Sequence, residues 1–321
     1  MKKVLLLVAF LSLSLYSFSW GFYAHRRMSY YAVFLLPPQM LAFYKPHIHF
    51  ISEHAVDPDK RRYMMEGEAQ RHFIDMDRYG SYPFETLPRK WEDAIGKFSE
   101  DSLQQHGIVP WWTQIMLRRL TNAFKEKNAA QILKLSADIS HYVADAHVPL
   151  HTNSNYNGQF TGQKGIHAFW ESRVPELLAE QSWDFFLGKA SYISNPTDFI
   201  WKRVLESAVA ADTVLRSEKA LTNSFSTDRK FAFEERNGVI TRQYSTSFSK
   251  AYDALLKGMI ERRMRQSIFA IASFWYTAWV NAGQPDLTRL DQPPITQEEQ
   301  QEFELLNNAW KAGNGKGREH E

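Results

Sequence analysis

Apolar residues recur at helical spacing along most of this chain, and runs alternating apolar with polar residues are almost absent. A chain patterned this way buries its apolar stripes helix against helix and has little from which to build a sheet. Phe22 to Leu36 is the first such segment, stopped by Pro37-Pro38. Trp111 to Lys127 and Ala129 to His147 follow, the second ended by Val148-Pro149. Ile166 to Leu178 and Phe199 to Leu221 continue the pattern. The longest run extends from about Ser247 to Ala282, where Gly283 and Pro285 stop it. Loops rich in Tyr, Pro, Gly and Asn lie at 79–88 and 152–165, and no internal repeat is present. The expected fold is all-α, a single helical-bundle domain over residues 20–290 with long loops and negligible β structure. An acidic, Gly-rich tail with a short helix is expected over 291–321.

Composition narrows the chemistry. At 44% hydrophobic the chain is too apolar to be disordered. Its 38 Lys+Arg nearly balance 36 Asp+Glu, which excludes a generally basic nucleic-acid binder or a polybasic membrane-surface protein. Cysteine is absent, so there is no disulfide framework, iron–sulfur cluster or thiolate zinc site. Any metal must be held by His, carboxylates or backbone groups.

Residues 1–19 read as a secretory leader. Lys2 and Lys3 precede a mostly apolar run from Val4 to Leu15, and the small residues Ser17 and Ser19 stand before Trp20. That run is shorter than the ~18–20 residues needed to span a bilayer. Cleavage before Trp20 is expected to give an exported protein, periplasmic or secreted. Loss of the two lysines leaves equal numbers of acidic and basic residues. No later segment is long and apolar enough to span, so a soluble mature protein is expected.

Histidine spacing points to a metal. Three of the eleven histidines have an acid four residues later: His49/Glu53, His141/Asp145 and His167/Glu171. One such pair is expected by chance, and His49/Glu53, after a Pro-His turn, reads as incidental. His141 belongs to the denser stretch His141-Tyr-Val-Ala-Asp145-Ala-His147-Val-Pro-Leu-His151. Residues i and i+4 share one helix face, so imidazole and carboxylate can converge on one ion. Pro149 ends the helix, and the chain can return His151 to the same cleft. Ile166-His167-Ala-Phe-Trp-Glu171 offers a second pair across a polar, turn-forming loop. Two ligand-bearing helices so joined suit a metal site in a helical bundle, and neutral His with carboxylates suits catalytic zinc. Cleavage before Trp20 would also free an α-amino group, of pKa near ~8, beside its own carbonyl oxygen. The two form a five-membered chelate, with His25 on the first helical turn.

These residues resemble the zinc-dependent phospholipase C and single-strand-specific (P-one type) nuclease superfamily. That resemblance, carried from Trp20 to Glu171, implies an exported all-α protein with a cleft holding three zinc ions. Nine residues of the right type follow in order. Asp57, His72, His141 and Asp145 would hold one zinc; Trp20, His25 and a bridging Asp145 its neighbour; His151, His167 and Glu171 the third. Asp59 rivals Asp57 in the same short turn, and Asp57 is the favoured ligand. His54 reads as an outer or surface residue, His147 as facing away or bonding a ligand, and His47, His106 and His320 as non-ligands.

The function so implied is a zinc-dependent phosphoester hydrolase. A zinc-activated water attacks phosphorus and Asp57 orients or deprotonates it. No obligate protein partner is evident. The short Trp20-to-His25 spacing and His72-Phe-Ile-Asp75 resemble the nuclease branch, where Phe73 would stack on a base and Asp75 would read its edge. Single-stranded nucleic acid or nucleotides are therefore the first expected substrate. Glu171 and the short His151-to-His167 connection resemble the phospholipase branch and point to a phospholipid substrate, and Asn155-Tyr-Asn-Gly158 departs from the Gly-Gly-Asn expected there in nucleases. Trp111-Trp112 and the 79–84 loop are aromatic candidates for lipid contact or plain packing. A non-catalytic exported zinc-binding protein is the third reading.

Overall fold

The computed structural model describes residues 21–236, 238–288, 290, 296–313 and 315–316. The leader and Trp20 lie outside the described residues. The N-terminal third holds α1 (Phe22–Val33), α2 (Pro38–Tyr44), α3 (Ile48–His54), α4 (Asp57–Arg61), α5 (Trp91–Phe98) and α6 (Glu100–His106). Next come the long α7 (Val109–Lys125) and α8 (Ala129–Asp145). A short α9 (Ile166–Ala168) runs through a π-helical turn, Phe169–Arg173, into α10 (Val174–Ser182). The chain continues with α11 (Pro196–Ser224), strands β1 (Phe231–Arg236) and β2 (Val239–Tyr244), α12 (Thr246–Leu255), α13 (Met259–Asn281) and α14 (Gln297–Ala312).

The all-α expectation holds, with one local correction. The run expected from Ser247 to Ala282 is two helices. Lys257 and Gly258 take φ of 52° and 70°, and two successive left-handed residues cannot continue a right-handed helix. The small share of β structure among the described residues is an antiparallel hairpin, paired from Phe231↔Tyr244 to Arg236↔Val239. Its strands flank Asn237-Gly238, the dipeptide that two-residue hairpin turns favour.

Local chemistry sets the helix starts. Asn128, Asn195 and Ser245 accept hydrogen bonds from the first-turn amides of α8, α11 and α12, and Pro196 sits at the first position of α11. α8 is the central rod, packed against α1, α3, α7 and α13. Trp275 of α13 donates its indole N–H to the Ser136 carbonyl, and Tyr44 bonds the Ser136 hydroxyl. Polar atoms inside the apolar core are thereby paired. Trp111 and Trp112 are buried on α7 and Tyr79 is buried, whereas Tyr82 is exposed. α14 docks on α4: Phe303 packs its ring on His54, Trp310 packs on Phe22, and Leu306 is buried. No helix among the described residues is long and apolar enough to cross a membrane.

Candidate metal centre

The last turn of α8 carries His141 and Asp145 on one face, both fully buried. Asp145 is the hub. Its Oδ2 lies 3.0 Å from His72 Nδ1 and 3.2 Å from His141 Nε2. Its Oδ1 lies 3.5 Å from His25 Nε2 and 3.6 Å from His151 Nδ1. His25 comes from the first turn of α1 and stacks on His141 with ring centroids 3.8 Å apart. After Val148-Pro149 a 3-10 turn brings His151 back to this floor, as its spacing predicts. His151 Nε2 meets His167 Nε2 at 3.1 Å, and Glu171 Oε2 stands 3.0 Å from His167 Nε2. Three groups converge: His25, His141 and Asp145; Asp59, His72 and His141; His151, His167 and Glu171.

The geometry corrects the choice between the two aspartates. Asp59 Oδ1 faces His141 at 3.6 Å and His72 at 3.7 Å. Asp57 turns away, its carboxylate held by His54 at 2.6 Å and Lys60 at 2.9 Å. Residues two apart on a helix point about 200° apart, so only one of them can face the floor. His147 donates to the Val143 carbonyl at 2.7 Å and stands aside from the three groups. Phe73 is buried at 3% exposure beneath Gly107, and Asp75 is buried with His106 at 4.0 Å.

The donor set fits zinc. Donors around a tetrahedral zinc at ~2.0–2.1 Å lie about 3.3 Å from one another, and the separations above cluster about that value. Both Asp59 oxygens and both His25 nitrogens are buried and make no hydrogen bond. Such groups are costly unless something else satisfies them. Burial pulls down His25, and with the charge on His141 it falls to about 4. Burial also acts to lower His141, but Asp145 and Asp59 outweigh it and hold the ring up at about 10. Burial would raise Asp59, yet His141 and His72 bring it down to about 2. Burial raises Glu171 to about 7 against the pull of His151. The cluster thus holds protons that a metal must displace.

Two charged neighbours of the three groups escape the sequence reading. Arg62 is buried with Nη1 3.9 Å from Asp59 Oδ1, and its charge feels Asp145 and Glu171. Glu68 is buried 3.8 Å from His72 Nε2, one turn earlier in the chain. The Glu68/His72 spacing of four is a signal in the sequence, hidden because the acid precedes the histidine.

No curated protein matches the chain. The model of a family described as zinc dependent phospholipase C matches residues 24–229, which contain every described member of the three groups. With well over half of its length inside that match and zinc-compatible donors gathered there, the chain is a zinc hydrolase and belongs to the zinc-dependent phospholipase C family.

Proposed function

We propose that the chain is an exported, three-zinc phosphodiester hydrolase of the phospholipase C type. The observation that carries the reading is Asp145, whose two oxygens lie between His72 and His141 on one side and His25 and His151 on the other. That is the placement a bridging carboxylate needs. Asp59, His72, His141 and Asp145 would hold one ion. His25 and Asp145, with the Trp20 carbonyl oxygen and the Trp20 amino group that leader removal frees, would hold a second. His151, His167 and Glu171 would hold the third.

Zinc supplies positive charge for the phosphate and a water of lowered pKa. The protein's own groups do the rest. Asp59 would take the proton of the attacking water, the role expected above of Asp57. Arg62 binds a non-bridging phosphate oxygen as charge grows there. The apolar core behind α8 excludes water from the ligands and strengthens these interactions.

A phospholipid head group is the favoured substrate because Phe73 and Asp75 are buried rather than presented to a base. The glutamate at position 171 and the short loop before it agree. The nuclease reading keeps one support, the His72-Phe-Ile-Asp75 sequence. The test incubates the mature protein with phosphatidylcholine vesicles, single-stranded DNA and RNA, with and without a chelator. Chelator-sensitive release of diacylglycerol is expected. Nucleotide release without diacylglycerol would replace this reading with the nuclease one. Zinc uptake without hydrolysis of any phosphoester would leave a binding protein. An N-terminal tag before Trp20 is expected to weaken the second zinc site.

A further inference from the structure

Two histidines of the floor anchor the ring nitrogen they do not turn to their neighbouring nitrogen ligands on a main-chain carbonyl. His141 Nδ1 donates to Ala55 O at 2.8 Å, and His151 Nδ1 donates to His72 O at 2.6 Å. His72 is turned the other way round. Its Nδ1 faces Asp145 Oδ2 and His141 Nε2, each at 3.0 Å. Its Nε2 faces Glu68 Oε1 at 3.8 Å.

Glu68 is fully buried and held by several neighbours. The Tyr142 hydroxyl and the Arg71 guanidinium both donate to it. Arg61 Nε lies 3.7 Å from Oε1 and is itself fixed by Asp138 at 2.9 Å and Tyr142 at 3.3 Å. At 3.8 Å the action of Glu68 on His72 is electrostatic rather than a hydrogen bond.

We propose that Glu68 is a positioning residue that selects the tautomer and ring orientation of His72. Its negative charge draws the ring proton to Nε2 and leaves the Nδ1 lone pair facing Asp145 and Asp59. A ring flipped by 180° would put carbon where the donor belongs. This inference rests on the zinc reading above. It assigns Glu68 the part that carboxylates behind metal-bound histidines play, where removal costs about 10–100-fold in metal affinity.

The test compares Glu68→Gln with Arg71→Gln, which strips one outer partner from Glu68 and leaves His72 untouched. Zinc affinity is measured by competition with a chromophoric chelator, and the visible spectrum of the cobalt-substituted protein is recorded. For Glu68→Gln the affinity of one ion falls about 10–100-fold. Its cobalt spectrum changes, and kcat falls with KM nearly constant. Arg71→Gln keeps the wild-type spectrum and affinity. An unchanged spectrum and affinity in Glu68→Gln overturns the proposal, as does an equal loss in Arg71→Gln. If Glu68→Gln does not fold, Glu68→Asp keeps the charge and withdraws it from His72 by one methylene. A several-fold loss of affinity in a folded Glu68→Asp supports the proposal, and no loss overturns it. Wild-type protein that takes up no zinc would remove the zinc reading itself, a result distinct from any of these.

Discussion

His151 Nε2 and His167 Nε2 face each other at 3.1 Å inside the protein. Two imidazole nitrogens that close can share one cation or one proton, whereas two protonated nitrogens repel. Asp145 and Glu171 add negative charge to the same buried volume. Filling the groups with zinc therefore stabilises the folded chain by mass action, about 2.7 kcal/mol per site at a hundredfold excess over Kd. Stripping the metal is expected to lower Tm by roughly 5–10 °C for each such site. Calorimetry before and after chelation checks this, and added zinc must restore the midpoint. An unmoved Tm would show that the cluster holds no structural share of the metal.

Asp59→Asn and Asp57→Asn are expected to part company. The first removes a carboxylate that faces His72 and His141, so one zinc is lost and kcat drops by about 100-fold or more. The second leaves the floor intact and deprives the buried Lys60 and the partly buried His54 of their partner. It costs about 1–3 kcal/mol of stability with full zinc content. Zinc stoichiometry of the two purified variants decides between them.

Asp145→Ala separates a bridging carboxylate from an ordinary ligand. Because its oxygens reach His25, His72, His141 and His151, the variant is expected to lose zinc at two sites together. Activity should fall to background. Loss of one equivalent alone, measured by metal analysis, would limit Asp145 to a single ion.

What the sequence made legible follows from periodicity. His141/Asp145 and His167/Glu171 announce themselves because helical spacing puts each pair on one face, and Pro149 marks where His151 must turn back. The preference for Asp57 over Asp59 had no periodicity behind it, because a five-residue helix has no apolar stripe to say which way it faces. The docked face of Phe303 and Leu306 was equally hidden. An acidic stretch reads as solvated until the surface covering its apolar stripe is known. The break at Lys257-Gly258 was masked by good helical periodicity on both sides. The hairpin carried its signal in Asn237-Gly238, but six-residue strands alternate too briefly to outweigh a helical background.

The C-terminal helix is expected to matter to the site from outside it. Leu306 is buried at 4% exposure, and Phe303 lies on His54, which holds Asp57 at the start of α4. Leu306→Ala should cost about 2–3 kcal/mol through lost burial and the cavity left behind. Chemical denaturation measures that cost. A variant as stable as the wild type would mean that α14 does not stay docked on α4.

Phe73 distinguishes packing from recognition. Gly107 has φ of +87°, and a Cβ there would sit 2.6 Å from Phe73 Cδ2 and 2.2 Å from Phe73 O. The aromatic ring is therefore clamped under the backbone that follows α6, with no open face for a base. Phe73→Ala should cost about 3–5 kcal/mol of stability, the range for a buried Phe. Removing a base-stacking side chain would instead cost ~1–3 kcal/mol of binding per base with the fold intact. Denaturant titration of the variant, set beside its KM on single-stranded DNA, separates the two. A stable variant with a raised KM would restore Phe73 as a base platform, and with it the nuclease reading.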